Sequence, residues 1–521
     1  LGDAGNITIA KVVGYPSRSR SRRTQSLSWR SWAAGLAIAF SSAASATEPE
    51  RATDWQLINS NWPRLVQTLK NFAHDSERKH STDHLYYFEL WTYDLMRAAI
   101  AEEQRAIRDQ LLSLYVSVFD DLVTVSSYKY YYDPRSDEQR LSEHPLPSAT
   151  RLWLNQDGIE DVLDSSQFIF LLAATTRHLL QSDDQSQETQ NFVKSAAPLV
   201  RDHLLRWILR DKVFQVRGWQ CGHGLYDHRS FLELKRRRSF ASPERLSYCN
   251  MVSDTDLWII GATAETIAVQ AALEPDQRFS TADNSALRNY LRVATELLAD
   301  RTTSKTFPRS SGAPVDGLVF DAGANDDHDD SLYAAFSEEQ CPPNERRAAH
   351  GVGWDVSHGT RQPVVFSALL DTKDRTGVGW PDEAVLAGFG RAFAFGVFEG
   401  NLKKPRLRNY MDGSNGWYRV DEKHCSGYRP FGMSYALIFG AWGRYTPYAT
   451  EVGKIMEAAR EILTSKDSAD TTFRLTVWDR PRYINGRPQN EGMANPSVSV
   501  WSLPLLSTYA IDSDTNKRAG P

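Results

Sequence analysis

The stretch His350-Gly-Val-Gly-Trp-Asp-Val-Ser-His-Gly-Thr-Arg361 packs two histidines, an aspartate, a serine, a tryptophan and an arginine into twelve residues. An apolar run from Val364 to Leu370 follows directly and predicts a helix. Polar side chains gathered at the mouth of a helix face something other than bulk solvent. The stretch is therefore expected to line a cleft, and its surroundings are read for the same plan of apolar helices joined by long loops.

Outward from it, helical periodicity recurs along the chain. Three helices are expected between Asp54 and about Thr124, with Pro63 in a first turn and Leu65, Val66, Leu69 and Phe72 on one face. A tyrosine-rich loop is expected from Val125 to Asn155, then helices near 159–181 and 187–210 and a loop of nearly forty residues. Ser253 or Asp254 caps the next helix. Further helices are expected near 284–299, 361–371, 381–398, 431–446 and 448–465, with short β-like pieces such as Phe473–Trp478 in the tail. There is no βαβ alternation, no phosphate-binding glycine loop after a strand and no repeat of fixed period. The fold class is thus all-α, an (α/α) toroid or barrel of paired helices, with long loops forming a cleft at one end and minor β structure in the C-terminal tail. A generic helical array is the plainer alternative.

Composition bounds the function. The 521 residues are 41% hydrophobic and 24% charged, typical of a globular protein, and include 15 tryptophans. Arg18, Arg20, Arg22, Arg23 and Arg30, the apolar Trp32–Phe40 and the small-residue end Ala44-Ser-Ala46 follow the order of an export signal. Ser21–Leu27 faintly resembles a twin-arginine signal. The expected organisation is a signal peptide with an upstream extension over 1–46 and one catalytic domain over 47–521, in a periplasmic or secreted protein. Beyond residue 46 there are 54 basic and 64 acidic residues, a net charge of −10. That balance argues against a nucleic-acid partner. No membrane partner is expected, and the oligomeric state is read as monomer or weak homo-oligomer. Cys221, Cys249, Cys341 and Cys425 permit two disulfides in three pairings, of which Cys221–Cys249 with Cys341–Cys425 is preferred, with free cysteines as the alternative.

Four constellations carry chemistry. In the first, His358 suits a general base, Arg361 a carboxylate-binding fork, and Asp355 either the orientation of a histidine or acid–base work itself. Trp354 beside them suits stacking on a sugar ring. A merely capped helix is the structural alternative. In the second, Asp412-Gly-Ser-Asn-Gly-Trp-Tyr-Arg419 continues to Tyr428; its turn formers present Asn415, Trp417, Tyr418, Arg419 and Tyr428 on a loop. The third, 325–330, holds Asp326, Asp327, His328, Asp329 and Asp330. It reads first as a solvated acidic turn, with Ca²⁺ as the metal its oxygens would suit and His328 as a cleft residue. The fourth, 219–228, supplies Trp219 and His223 as subsite lining. No cofactor is required, and no set of residues is singled out as metal ligands.

The W-D-x-S-H-x-x-R segment, preceded by the His/Asp/Tyr stretch 328–333 and followed by D-G-S-N-G-W-Y-R, resembles the α/α-toroid polysaccharide lyases. It is similar to exported bacterial proteins grouped near polysaccharide lyase family 38, over roughly residues 210–440. The resemblance implies β-elimination on a uronic-acid polymer such as glucuronan or alginate. Arg361, Asn415 or Arg419 would neutralise the carboxylate, and His358 or a tyrosine would take the C5 proton. Tyr418 or Tyr428 would protonate the leaving oxygen, while Trp354, Trp417 and Trp219 stack sugar rings. The alternatives are a glycoside hydrolase using Asp355 and Asp412, with Asp256 or Glu265 as substitutes, and a non-catalytic glycan-binding protein.

Overall fold

Helices form where the 3.6-residue apolar spacing is strongest. The computed structural model describes residues 48–75, 79, 81–131, 141–182, 184–211, 226–237, 250–309, 312–324, 326, 328–340, 347–421, 426–479, 482–484, 487–489 and 498–511. These lie within one of two compact units of the chain, Ala43–Pro521.

In chain order the longer helices are α1 (Glu48–Ala73), α2 (Asp83–Ala101), α3 (Arg105–Ser117), α4 (Val162–Gln181), α5 (Gln187–Leu205), α6 (His228–Arg237), α7 (Asp254–Val269) and α8 (Thr281–Asp300). They are followed by α9 (Val356–Gly359), α10 (Arg361–Asp371), α11 (Lys373–Thr376), α12 (Glu383–Ala392), α13 (Thr450–Thr464), α14 (Ser468–Phe473) and α15 (Leu503–Ile511). The chain is mostly helical. Its strands pair as two antiparallel hairpins, β1 (Val123–Tyr131) with β2 (Leu141–Leu152) and β3 (Thr302–Phe307) with β4 (Val315–Phe320). A small sheet has the order β5 (Tyr418–Asp421), β6 (Ser426–Tyr428), β7 (Arg482–Ile484), β8 (Arg487–Gln489).

Two kinds of helix divide the labour. In α4 and α7 nearly every residue is buried, as in a helix surrounded by protein. By contrast α8 buries one stripe, with Leu287, Tyr290, Leu291, Ala294, Leu297 and Leu298 at helical spacing. The enclosed helices pack in sequence: α2 on α4, α4 on α7, α7 on α10, and α10 on the 3₁₀ turn Ala441–Tyr445. That turn packs on α15, and α15 packs back on α2. The striped helices lie against them, α5 on α4, α8 on α7 and α12 on α10.

Several charged groups inside this core are paired. Ser253 caps α7 and closes a capping box with Asp256, as the sequence reading allowed. Asp256 also receives His228 Nε2 at 2.9 Å and the ammonium of Lys235. Arg177 on α4 grips Glu265 on α7, with Nη2 donating to Oε1 at 3.1 Å. The Glu265 side chain has no solvent exposure.

Several local expectations change. Pro63 lies inside α1 rather than in its first turn. The tyrosine-rich segment forms the β1–β2 hairpin, because its β-branched and aromatic residues suit a pleated surface. Residues 431–446 hold two short 3₁₀ turns, Ser434–Leu437 and Ala441–Tyr445, in place of a helix, and Phe473–Trp478 winds helically instead of extending. Among the described residues no helix is long and apolar enough to cross a membrane. The proposed signal segment and all four cysteines lie outside the described residues.

Replacing Arg177 by Met would strand the Glu265 carboxylate in the core. Urea unfolding is expected to show a loss of about 3–5 kcal/mol. A loss below about 1 kcal/mol would mean that water reaches the pair.

Candidate functional site: an aspartate–histidine pair in a tyrosine-lined cleft

The segment 353–356 is held as a short antiparallel match to 409–412. Met411 N donates to Trp354 O at 2.8 Å, Val356 N to Asn409 O at 2.8 Å, and Gly353 N to Asp412 Oδ1 at 3.1 Å. Glycine at 353 is dictated by this approach, since a Cβ there would lie 2.7 Å from the Asp412 nitrogen. Gly351 supplies the left-handed turn ahead of it, with φ of 73°.

Asp355 then caps α9. Its Oδ1 accepts from Ser357 N and His358 N, each at 3.1 Å, and its Oδ2 meets His358 Nδ1 at 2.6 Å. Burial alone would raise this carboxyl. The His358 charge and hydrogen bond, with Arg419 behind them, outweigh burial and hold it at about 2. A carboxylate that stays ionised can only accept, so Nδ1 carries the hydrogen and Nε2 is the ring nitrogen left for proton exchange. The His358 side chain is 28% exposed and Asp355 6%.

His358 and Ser357 line a cleft of about 240 Å³. Tyr418, Arg419 and Tyr428 enter it from β5 and β6, and Met433 and Tyr435 from the following turn. The rest of the lining comes from helix starts: Asp83, Tyr86 and Tyr87 on α2, Leu163 and Asp164 on α4. Tyr418 and Tyr428 are register partners with ring centroids 6.3 Å apart. The register breaks just after Tyr418, and Arg419 adopts a left-handed φ of 54°. A bulge of this kind re-aims a side chain, here into the cleft.

The acidic stretch is scaffolding for this wall. Asp330 Oδ2 accepts from Arg419 Nε at 3.0 Å and from the Tyr418 hydroxyl at 3.2 Å. His328 Nδ1 accepts from Asp330 N at 3.1 Å, and burial lowers the affinity of that imidazole for a second proton. Asp326 accepts from Gly351 N at 2.8 Å and Val352 N at 2.9 Å. Among the described residues no group of three or more His, Cys, Asp or Glu could hold a metal ion. Asp327 lies outside the described residues. Burial, reinforced by Asp355, pushes the Tyr418 phenol well above its ordinary value against the pull of Arg419. It is therefore protonated at neutral pH and acts as a donor.

Other expected site residues do structural work. Arg361 is buried; its Nη1 donates to Ser357 O at 2.7 Å and to Thr360 Oγ1 at 3.0 Å. Its Nη2 donates to the Tyr86 hydroxyl, so it ties the His358 turn to α2 from behind the cleft lining. With Glu89, Thr360 and Asp94 it also borders a cavity of about 20 Å³, room for one water. Burial pushes the Glu89 carboxyl up to about 7. Asn415 Oδ1 accepts from Asn409 N at 3.2 Å and Phe431 N at 3.0 Å, bracing the loop. Asp412 accepts from Gly353 N and Ser414 Oγ and pairs with Lys305 at 3.0 Å. It is not among the residues lining the cleft.

Trp354 and Trp417 are core rather than sugar platforms. Trp354 is 2% exposed and packs near Phe320. Trp417 is fully buried with Tyr333 and Phe336, its Nε1 donating to Glu338 O at 2.8 Å. Trp219 and His223 lie outside the described residues. Sequence reasoning missed Asp83, Tyr86, Tyr87, Asp164 and Tyr435. The one local signal was the polar-aromatic start of α2, Thr82-Asp-His-Leu-Tyr-Tyr87.

No protein-family model, curated protein or solved structure matches the chain.

The Asp355 carboxyl titrates near 2 in the folded chain against an ordinary 3.8, so its contribution to stability is fully present above 3.8 and is lost as pH falls through about 2. Asp355→Asn is expected to be less stable than wild type by about 2 kcal/mol near neutrality, with the gap closing in acid. Chemical denaturation across that range measures it. A gap independent of pH would assign the loss to the backbone cap alone.

Proposed function

We propose that the protein is an exported polysaccharide lyase that cleaves a uronic-acid-containing polymer by β-elimination. The observation that carries this reading is the Asp355–His358 pair opening onto a cleft lined by five tyrosines and Arg419. Tyrosines suit a sugar ring, presenting an apolar face and a polar tip. A cleft with few convergent polar groups is the usual form of a ligand site.

The chemistry follows from the roles these groups can take. Arg419 neutralises the uronate carboxylate, which makes the C5 hydrogen acidic. His358 Nε2 accepts that proton, and Asp355 stabilises the imidazolium that results. The electron pair from C5–H forms the C4–C5 double bond as the C4–O bond breaks. A protonated phenol, Tyr418 or Tyr428, gives its hydrogen to the leaving oxygen. We propose further that the helices form an α/α toroid. Supporting this is the closed order of neighbours α2, α4, α7, α10, the 441–445 turn and α15, with striped helices against it.

A glycoside hydrolase is the second reading, favoured by the carboxylates of Asp83 and Asp164 in the same cleft. Asp412, paired with Lys305, is a poorer partner for Asp355 in that chemistry.

A polysaccharide screen read by ultraviolet absorbance and reducing ends together separates the two. The lyase reading expects unsaturated product, a loss of about 10²–10⁴ in rate for His358→Ala, and retained activity in Asp83→Asn. New reducing ends without absorbance, abolished by Asp83→Asn, would replace it with hydrolysis.

A further inference from the structure

A basic hairpin is fixed to the turn that supplies Met433 and Tyr435 to the cleft. Its arms are 397–399 and 406–408, matched antiparallel at Phe398 and Leu407. Glu399 N donates to Arg406 O at 3.0 Å and Arg408 N to Val397 O at 2.8 Å. Gly400 turns the chain with φ of 103°, and Asn401 Oδ1 accepts from Lys403 N at 3.0 Å, which sets the tip. Leu407 N donates to Ser434 Oγ at 2.9 Å, and the Arg406 guanidinium lies 4.1 Å from the centre of the Phe431 ring. Pro405 and Leu407 are buried, so Lys404, Arg406 and Arg408 alternate with them onto the other face. Arg309 joins this surface. Its guanidinium lies 4.9 Å from the Phe395 ring, next to the Gly396 carbonyl that accepts from Arg408. Glu399 pairs with Arg406. Among the described residues Arg309, Lys403, Lys404 and Arg408 make no ion pair. Four cations thus gather without a paired carboxylate, on a chain whose net charge beyond residue 46 is −10.

A concentrated positive surface on an acidic protein attracts anions, and cations set along an extended arm suit a ligand whose charges also repeat. Exposed ion pairs are individually weak and are screened by salt. A polymer held at two places gains because its second contact is intramolecular. Resting on the reading of a uronate polymer as the ligand, we propose that the hairpin 397–408 and Arg309 form an exosite. It holds carboxylates of the polymer outside the cleft while another stretch of the same polymer occupies the cleft. An anionic lipid surface is the poorer fit. Leu402, 43% exposed at the tip beside Lys403 and Lys404, is a single apolar side chain. Stable anchoring by a basic patch needs an acyl chain beside it, which buries far more.

The test is calorimetric binding to the full chain carrying His358→Ala, so that ligands survive. The probes are long polyglucuronate or alginate and a tetrasaccharide of the same sugar. Lys403→Gln with Lys404→Gln is expected to weaken binding of the polymer about tenfold at low ionic strength. It should leave the tetrasaccharide unchanged, and the effect should shrink as salt is added. Both lysines are exposed, so the variant keeps the fold, and circular dichroism checks this. Polymer affinity unchanged by the double variant, equal weakening of polymer and tetrasaccharide, or binding of neither polymer would overturn the proposal. So would binding to anionic lipid vesicles alone, abolished by Leu402→Ser. Unsaturated product from the wild-type chain, with polymer affinity indifferent to the lysines, would remove the exosite and keep the lyase reading. Polymer affinity that depends on the lysines, with no unsaturated product, would keep the exosite and remove the lyase reading.

Discussion

One carboxylate organises the candidate site. Asp355 accepts two backbone N–H groups and one imidazole N–H, so a single buried charge caps a turn, orients a ring and selects its tautomer. Charge-assisted hydrogen bonds of this kind contribute about 1.5–3 kcal/mol each. The carboxylate can be buried because all of its bonds are made to a segment that is itself pinned to 409–412. Arg361 continues the chain of constraint from the Ser357 carbonyl to the Tyr86 hydroxyl. Two elements that line the cleft are thereby joined through one guanidinium.

The enclosed helices make this arrangement possible. Burial on nearly all sides of α4 and α7 leaves no water to solvate Arg177, Glu265 or Asp256, so each must find a partner in the protein. These pairs join successive helices and fix their axial register. Helix starts are thus delivered to one place, and α2, α4 and α9 all present their N-terminal ends to the cleft. Polar side chains at a helix start satisfy backbone N–H groups and face the cavity at once.

The chain pattern made the helical class legible. Apolar spacing located α4, α5, α7, α8 and α10 closely, because a stripe at 3.6-residue intervals has few other uses. The hairpin at 123–152 has the sequence of a loop, because tyrosine, proline and charged residues mask a two-residue alternation. The tryptophans show a different failure. Trp354 and Trp417 sit in polar sequence, yet their rings turn inward onto Phe320 and onto Tyr333 and Phe336. Local polarity reports the backbone's surroundings and not the direction of one side chain.

By itself the sequence determined the helical periodicity, a cap at Ser253 or Asp254 and the spacing that lets Asp355 reach His358 within one turn. Tertiary structure decided what the remaining candidates do. It set Asp412 against Lys305, buried Arg361 behind Tyr86 and brought Asp83 and Asp164 into the cleft with Arg419. The division has a simple cause. Contacts three residues apart follow from helical geometry alone, whereas contacts between Tyr86 and Arg361, 275 residues apart, exist only after the helices have packed.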